Sequence, residues 1–182
     1  MDTPALRDTL IDAALELLER EGDVPSLRAV ARTAGVSAMA PYRHFPDKAG
    51  LLAAVATHGF ELLYRTLSEA DRQADAREAL VAQGLAYIDF ARAHPALFGL
   101  MYSQQYGSAT PEAVVKSYDV LAHRVAAIVP KHAAAATLAC RALVQGMAMI
   151  EMKRRLLSAK PEDVGVALRL FVAGLDDRAP AV

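Results

Sequence analysis

The chain has a single cysteine, Cys140, no tryptophan, and aromatic residues at only 6% of its 182 positions. One cysteine cannot form an intrachain disulfide, which fits a reducing cytoplasm and points away from a disulfide-stapled secreted domain. No run of 18 uninterrupted apolar residues occurs, so no transmembrane span is expected. The opening, with Asp2 and then helical polar residues, does not read as a signal peptide. A net charge of −1 excludes a broadly basic nucleic-acid binder. No glycine-rich phosphate loop is present, and His44, His58, His94, His123 and His132 show no metal-ligand spacing. Cys140 has apolar neighbours and reads as a small buried hydrophobe rather than a nucleophile. The expectation is therefore no catalytic residue, no metal and no cofactor.

What is abundant is alanine, leucine and valine. Hydrophobic residues reach 54% without the alternation that strands require, so the expected fold class is all-α. The most informative stretch is 26–48, SLRAVARTAGVSAMAPYRHFPDK. Ser26 is suited to N-cap a helix whose apolar positions Leu27, Val30, Ala31 and Ala34 share one face. Gly35 stops that helix, because glycine enters the left-handed region without a Cβ penalty. Ser37 then starts a second short helix to about Phe45. Two short helices around a glycine turn are the helix-turn-helix pattern, the second helix being the one that enters the major groove. Arg28, Arg32, Arg43 and Lys48 oppose only Asp47 here, so positive charge is local.

This stretch resembles the DNA-binding segment of the TetR/AcrR family of transcriptional regulators. Val30, Ala31, Ala34, Gly35, Val36, Ser37, Tyr42, His44, Phe45, Lys48 and Leu51 stand at matching places, while Pro25 replaces the signature threonine. The resemblance implies that Ser26, Tyr42, His44 and Lys48 meet the phosphate backbone. Ser37, Ala38 and Met39 would lie at the exposed start of the recognition helix, where an apolar side chain can touch a thymine methyl. Arg43 and Arg28 complete the candidate DNA-binding set.

A 48-residue unit alone buries too little surface to be secure, so the head is expected to fold against the rest of the chain. The expected organisation is a three-helix helix-turn-helix DNA-binding domain at 1–48 and a helical ligand-binding and dimerisation domain at 49–182. Thr3-Pro4 starts the first helix, whose buried face carries Leu6, Leu10, Ala13 and Leu17 up to Gly22. Later helices are expected at about 47–67, 76–93, 111–129, 131–157 and 161–175, with a short helix carrying Leu97 to Tyr102 after His94-Pro95, a polar loop from Ser68 to Arg77 and a break at Gly107 to Pro111. Lys153-Arg154-Arg155 reads as positive charge complementing a helix C-terminus.

Between Ala133 and Ile150 the only polar side chains are Thr137, Arg141 and Gln145, and between Val164 and Leu175 only Arg169. A helix apolar nearly all round is buried nearly all round. Two such helices at the end of a small chain call for a second copy, and the resemblance implies the same four-helix dimer. The candidate interface residues are Arg141, Leu168, Phe171, Val172 and Leu175. A candidate effector pocket draws on Tyr87, Phe90, Phe98, Met101, Tyr102, Tyr118 and Met147, whose sulfurs and phenols suit a mostly apolar small molecule. The expected function is a homodimeric cytoplasmic repressor, released from a palindromic operator by a small-molecule effector and making no membrane contact. The alternative is an effector-independent helical DNA-associated protein.

Overall fold

The computed structural model describes residues 4–103, 109, 111–153 and 160–178. Thr3, the break at Gly107 and the Arg154-Arg155 pair lie outside these residues. Among the described residues eight α-helices follow one another: α1 (Pro4–Glu21), α2 (Leu27–Thr33), α3 (Lys48–Ala70), α4 (Ala76–Ala93), α5 (Pro95–Met101), α6 (Pro111–Ile128), α7 (Ala133–Lys153) and α8 (Pro161–Ala173). No strand occurs among the described residues, as the composition requires.

Local chemistry sets most boundaries. Pro4 and Pro95 each stand at a first helical position, where the missing N–H is not needed. Gly22, at φ +76°, closes α1, and its N–H reaches Leu18 O at 2.9 Å. Asp75 starts α4 by accepting from Arg77 N and Glu78 N, both at 2.9 Å.

The chain forms two compact units, Met1–Leu62 with His94–Val114, and Leu63–Ala93 with Val115–Val182. The division does not fall at residue 48. The first part of α3 belongs with the head, as does α5. Within that unit α1 packs on α2 and α5, around a core that includes Leu10, Leu17, Val30, Phe45, Leu52, Leu97 and Phe98. Glu19 accepts from Leu97 N at 3.0 Å and so caps α5 from 78 positions away. A Cβ at Gly59 would come within 2.8 Å of Met101 Sδ, so α5 lies directly on α3 there.

In the second unit α4 is the central helix, packed against α7 and α8. Its core joins Leu80, Val81 and Ile88 to Val125, Val129, Cys140, Val164, Leu168 and Val172. A Cβ at Gly84 would stand 3.1 Å from both methyls of Leu168, which explains a glycine in mid-helix. Arg77 donates to Val172 O and, at 2.8 Å, to Leu175 O, adding side-chain hydrogen bonds to carbonyls at the end of α8. Arg124 holds Asp71 through Nε at 2.7 Å and Nη2 at 2.9 Å, and Gln83 Nε2 donates to the same carboxylate at 2.5 Å. This arrangement keeps the Asp71 carboxyl below its ordinary pKa, chiefly through the hydrogen bond from Arg124. Cys140 is buried, and desolvation raises its thiol to about 11, so it is inert at neutral pH.

The burial expected around α7 is only partly found. Cys140 and Ala148 are buried, while Leu138, Met149 and Ile150 are exposed. The stretch Pro130–Met152 is long and apolar enough by length and composition to cross a membrane, with 11% of its window buried within the chain.

Candidate nucleic-acid interface

The site is built from two turns and two helix starts. Ser26 has extended backbone geometry and accepts from Ala29 N at 3.2 Å, which fixes the start of α2. At the other end Gly35 takes φ +69°, with Gly35 N bonding Arg32 O at 3.2 Å and Val36 N bonding Ala31 O at 3.0 Å. That paired pattern is the Schellman motif, and it reverses the chain with a fixed geometry.

The recognition element is tighter than the short helix expected from Ser37 to Phe45. Ala40 N bonds Ser37 O at 2.9 Å, Pro41–Arg43 form a single 3₁₀ turn, and His44 N bonds Pro41 O at 3.0 Å. Pro41 has no N–H to return to Ser37, so three-residue bonds dominate the turn, and Phe45 N to Pro41 O at 2.9 Å restores four-residue reach at its end. Phe45, 3% exposed, anchors the far end of this recognition turn.

The exposures sort the predicted residues. Met39 is 66% exposed and Tyr42 is also exposed, as are Ser37, Ala38, Arg28 and Arg43. His44 is half-buried, its Nε2 is shielded from solvent, and its ring lies 6.5 Å from that of Phe45. Asp47 caps α3 by accepting from Gly50 N at 2.8 Å. Lys48 donates to Val24 O at 3.1 Å, which ties the start of α3 to the loop before α2. An ammonium carries three donors, so this bond holds the side chain in place while leaving capacity for a further acceptor. Ser26, Arg28, Tyr42 and Lys48, with Leu27, Pro46 and Asp47, line an open concavity of about 400 Å³. Arg28, Arg32 and Arg43 have no carboxylate partner among the described residues, whereas Arg20, Arg72, Arg92, Arg124 and Arg169 do. Arg28 and Lys48 with a hydroxyl and a phenol around one concavity suit an extended polyanion.

The other predicted residues fall in both units. Phe98, Met101 and Tyr102 belong to the first, where Tyr102 lies against Phe98 at 4.9 Å and Phe60 at 5.6 Å. Tyr87, Phe90, Tyr118 and Met147 belong to the second. There Tyr87 donates to Gln145, and the Arg141 guanidinium stands 3.7 Å from the centre of the Tyr118 ring. Of the residues expected at the dimer contact, Leu168 and Val172 point into the chain's own core. Phe171 and Leu175 are half-buried and Arg141 is exposed. Exposed apolar positions on α7 and α8 include Leu138, Val166 and Leu170, at 67%, 54% and 71%. Gln83 and the Asp71–Arg124 pair carry no signal in the sequence. Asp71 and Arg124 are 53 positions apart, and no local spacing announces them.

A helix-turn-helix presented on a compact head, joined to a helical body, defines a DNA-binding transcriptional regulator. Residues 10–55 match the family described as bacterial regulatory proteins, tetR family, and residues 80–175 match the tetracyclin repressor-like C-terminal domain. The chain belongs to the TetR family of transcriptional regulators. No curated protein matches it. Among solved structures it is similar to a protein of unknown function from Rhodococcus sp. RHA1, at 34% identity and TM-score 0.82, covering 95% of this chain and 96% of that one. The TetR-family regulator PfmR from Thermus thermophilus shares the fold at 19% identity and TM-score 0.65, covering 97% and 99%. So does a TetR variant from Acinetobacter baumannii AYE in complex with minocycline, at 22% identity and TM-score 0.67, covering 96% of each chain.

Proposed function

We propose that the protein is a homodimeric cytoplasmic repressor that reads a palindromic operator and releases it when a small molecule binds the body. The observation that carries the DNA-binding part is the concavity lined by Ser26, Arg28, Tyr42 and Lys48, beside a recognition turn that displays Met39. Lys48, Ser26 and Tyr42 hold phosphate, which fixes register without reading sequence. Met39, Ala38 and Ser37 face base edges, and Arg43 reaches a base or a phosphate. Recognition turns of two subunits one helical turn apart impose a palindrome.

Dimerisation is supported by the outer faces of α7 and α8, where Leu138, Met149, Ile150, Val166 and Leu170 leave contiguous elements apolar toward solvent. A second copy of the same two helices buries them with two-fold symmetry. Effector release is supported by Tyr87, Tyr118, Gln145 and Met147, which set a few polar groups on an apolar wall in the second unit. The minocycline-bound relative lends the same reading by analogy. A ligand acts only through its different affinities for the two states, and α3 and α6, each of which runs from one unit into the other, are covalent routes between them together with the junction after Ala93.

Selection of bound duplexes from a random pool tests this reading, with a palindrome of two half-sites as the expected product. Enrichment of no motif would remove it. A second reading, an effector-independent DNA-associated protein, draws on the tight packing of Phe98 and Met101 in the first unit. Thermal melts with and without lipophilic compounds separate the two, because a ligand of the folded state raises the melting temperature.

A further inference from the structure

We propose that Arg7 is a further DNA-contacting residue, its guanidinium held on the Phe45 ring so that it binds a backbone phosphate on the α1 side of the recognition turn. The proposal rests on the DNA-binding reading above and adds a contact from α1.

The sequence placement is unusual. Arg7 shares a helical face with Ile11, Ala14 and Leu18, at i+4, i+7 and i+11, and all three are buried. It is an arginine at the end of the core-facing stripe of α1. The acidic residues of that helix lie elsewhere: Asp8 is about 100° round the axis from Arg7, and Asp12 and Glu16 are roughly 140–180° round. Arg7 itself is exposed, with Cζ 5.5 Å from the centre of the Phe45 ring. Its stem follows the apolar face while its charged head emerges over the ring.

That geometry has two consequences. The cation–π contact with the ring restrains the guanidinium without using its N–H donors, which lowers the ordering cost of taking a phosphate. It also carries no carboxylate partner among the described residues, unlike Arg20 at the far end of the same helix, which is bound to Glu16 and Glu21, each at 3.0 Å. Phe45 ends the recognition turn, so the charge on Arg7 is fixed beside the element that enters the groove. A major groove about 12 Å wide presents phosphates on both sides of an inserted element. Ser26, Tyr42 and Lys48 serve the side of α2 and α3; Arg7 serves the side of α1.

The test is DNA affinity of the full chain for a selected duplex at several salt concentrations between about 50 and 200 mM, alongside thermal melts. Arg7→Met keeps an apolar cover on Phe45 and removes the charge. It is expected to melt with the wild type yet flatten the salt dependence by about one unit of slope per contact, or about two in a dimer, equally on every single-base variant of the duplex. Arg7→Lys is expected to keep the slope and bind more weakly, since it retains charge without the guanidinium's fork of donors. Should Arg7→Met unfold the head, Arg7→Gln carries the same measurement. An unchanged slope in the folded neutral variant, while Lys48→Ala flattens it, overturns the role of Arg7 and leaves the DNA reading intact. A wild-type chain with no salt-dependent duplex binding removes that reading and this proposal together.

Discussion

The recognition face and the outer sides of α7 and α8 expose opposite chemistries to solvent. Around the recognition turn the unsatisfied groups are cations and hydroxyls, with Arg7, Arg28, Arg32 and Arg43 lacking carboxylate partners among the described residues. On α7 and α8 they are methyl groups and thioethers: Leu138, Met149, Val166 and Leu170. Each surface names its complement, since exposed charge attracts an ionic polymer and exposed apolar area is driven against its like. The comparison also separates salt-sensitive from salt-tolerant association. Binding at the first face weakens with salt, whereas burial at the second does not.

The largest effect is expected from substituting an inner and an outer leucine of α8. Leu168→Ala deletes a side chain packed on Gly84 and should cost about 2–5 kcal/mol of folding stability. Leu170→Ala, two residues on but 71% exposed, should leave an isolated subunit's melt nearly unchanged and weaken dimerisation alone. Sedimentation and thermal melts of both variants check this. Equal losses of folding would mean that Leu170 is not an interface position.

A smaller effect is expected inside the second unit. Asp71→Asn removes the charged partner of Arg124 and should cost about 1–3 kcal/mol near neutral pH, the range for hydrogen bonds to charged groups and for a partner left unsatisfied. The sign follows from the lowered pKa. A depressed carboxyl stabilises fully above its unfolded value of about 4 and loses that contribution as pH falls through the folded value. Wild-type and Asp71→Asn melts should therefore converge below about pH 4, and a constant gap from about pH 7 to 2 would assign the stabilisation to packing.

At the recognition face the predicted changes are smaller and differ in kind. Lys48→Ala should weaken binding to every duplex by a similar factor and flatten the salt dependence by about one unit of slope per contact. Met39→Ala should leave that slope in place and relax preference at one symmetric base pair by roughly 1 kcal/mol. Binding to an operator and its single-base variants at several salt concentrations reads both. If Lys48 altered base preference and Met39 altered only the slope, the recognition turn would lie in the groove the other way round.

Much of the fold is legible in the sequence because it is encoded locally. Ser26, Gly35 and Asp47 act through atoms within three or four residues of themselves, so spacing alone places the turns of the head. The recognition element reads as a helix from its spacing and is a tighter turn, because Pro41 withholds one hydrogen bond. The boundary of the head is less legible. α5 joins it through Glu19 capping Leu97 and through Met101 against Gly59, contacts made across long stretches of chain.

Local pattern alone encodes an all-helical chain, a helix-turn-helix, a local excess of positive charge, and two strongly apolar helices, α7 and α8. Which side of those helices is the inside depends on how they dock. On α8 both Leu168 and Leu170 are leucines, and hydrophobic periodicity cannot rank them when nearly every position is apolar. Only the docking of α8 on α4 at Gly84 makes Leu168 core and leaves Leu170 outside. The same holds for Arg7, one arginine among several in the sequence. Its distinction comes from the packing of α1, which brings it over Phe45, 38 positions away, where no local pattern connects them.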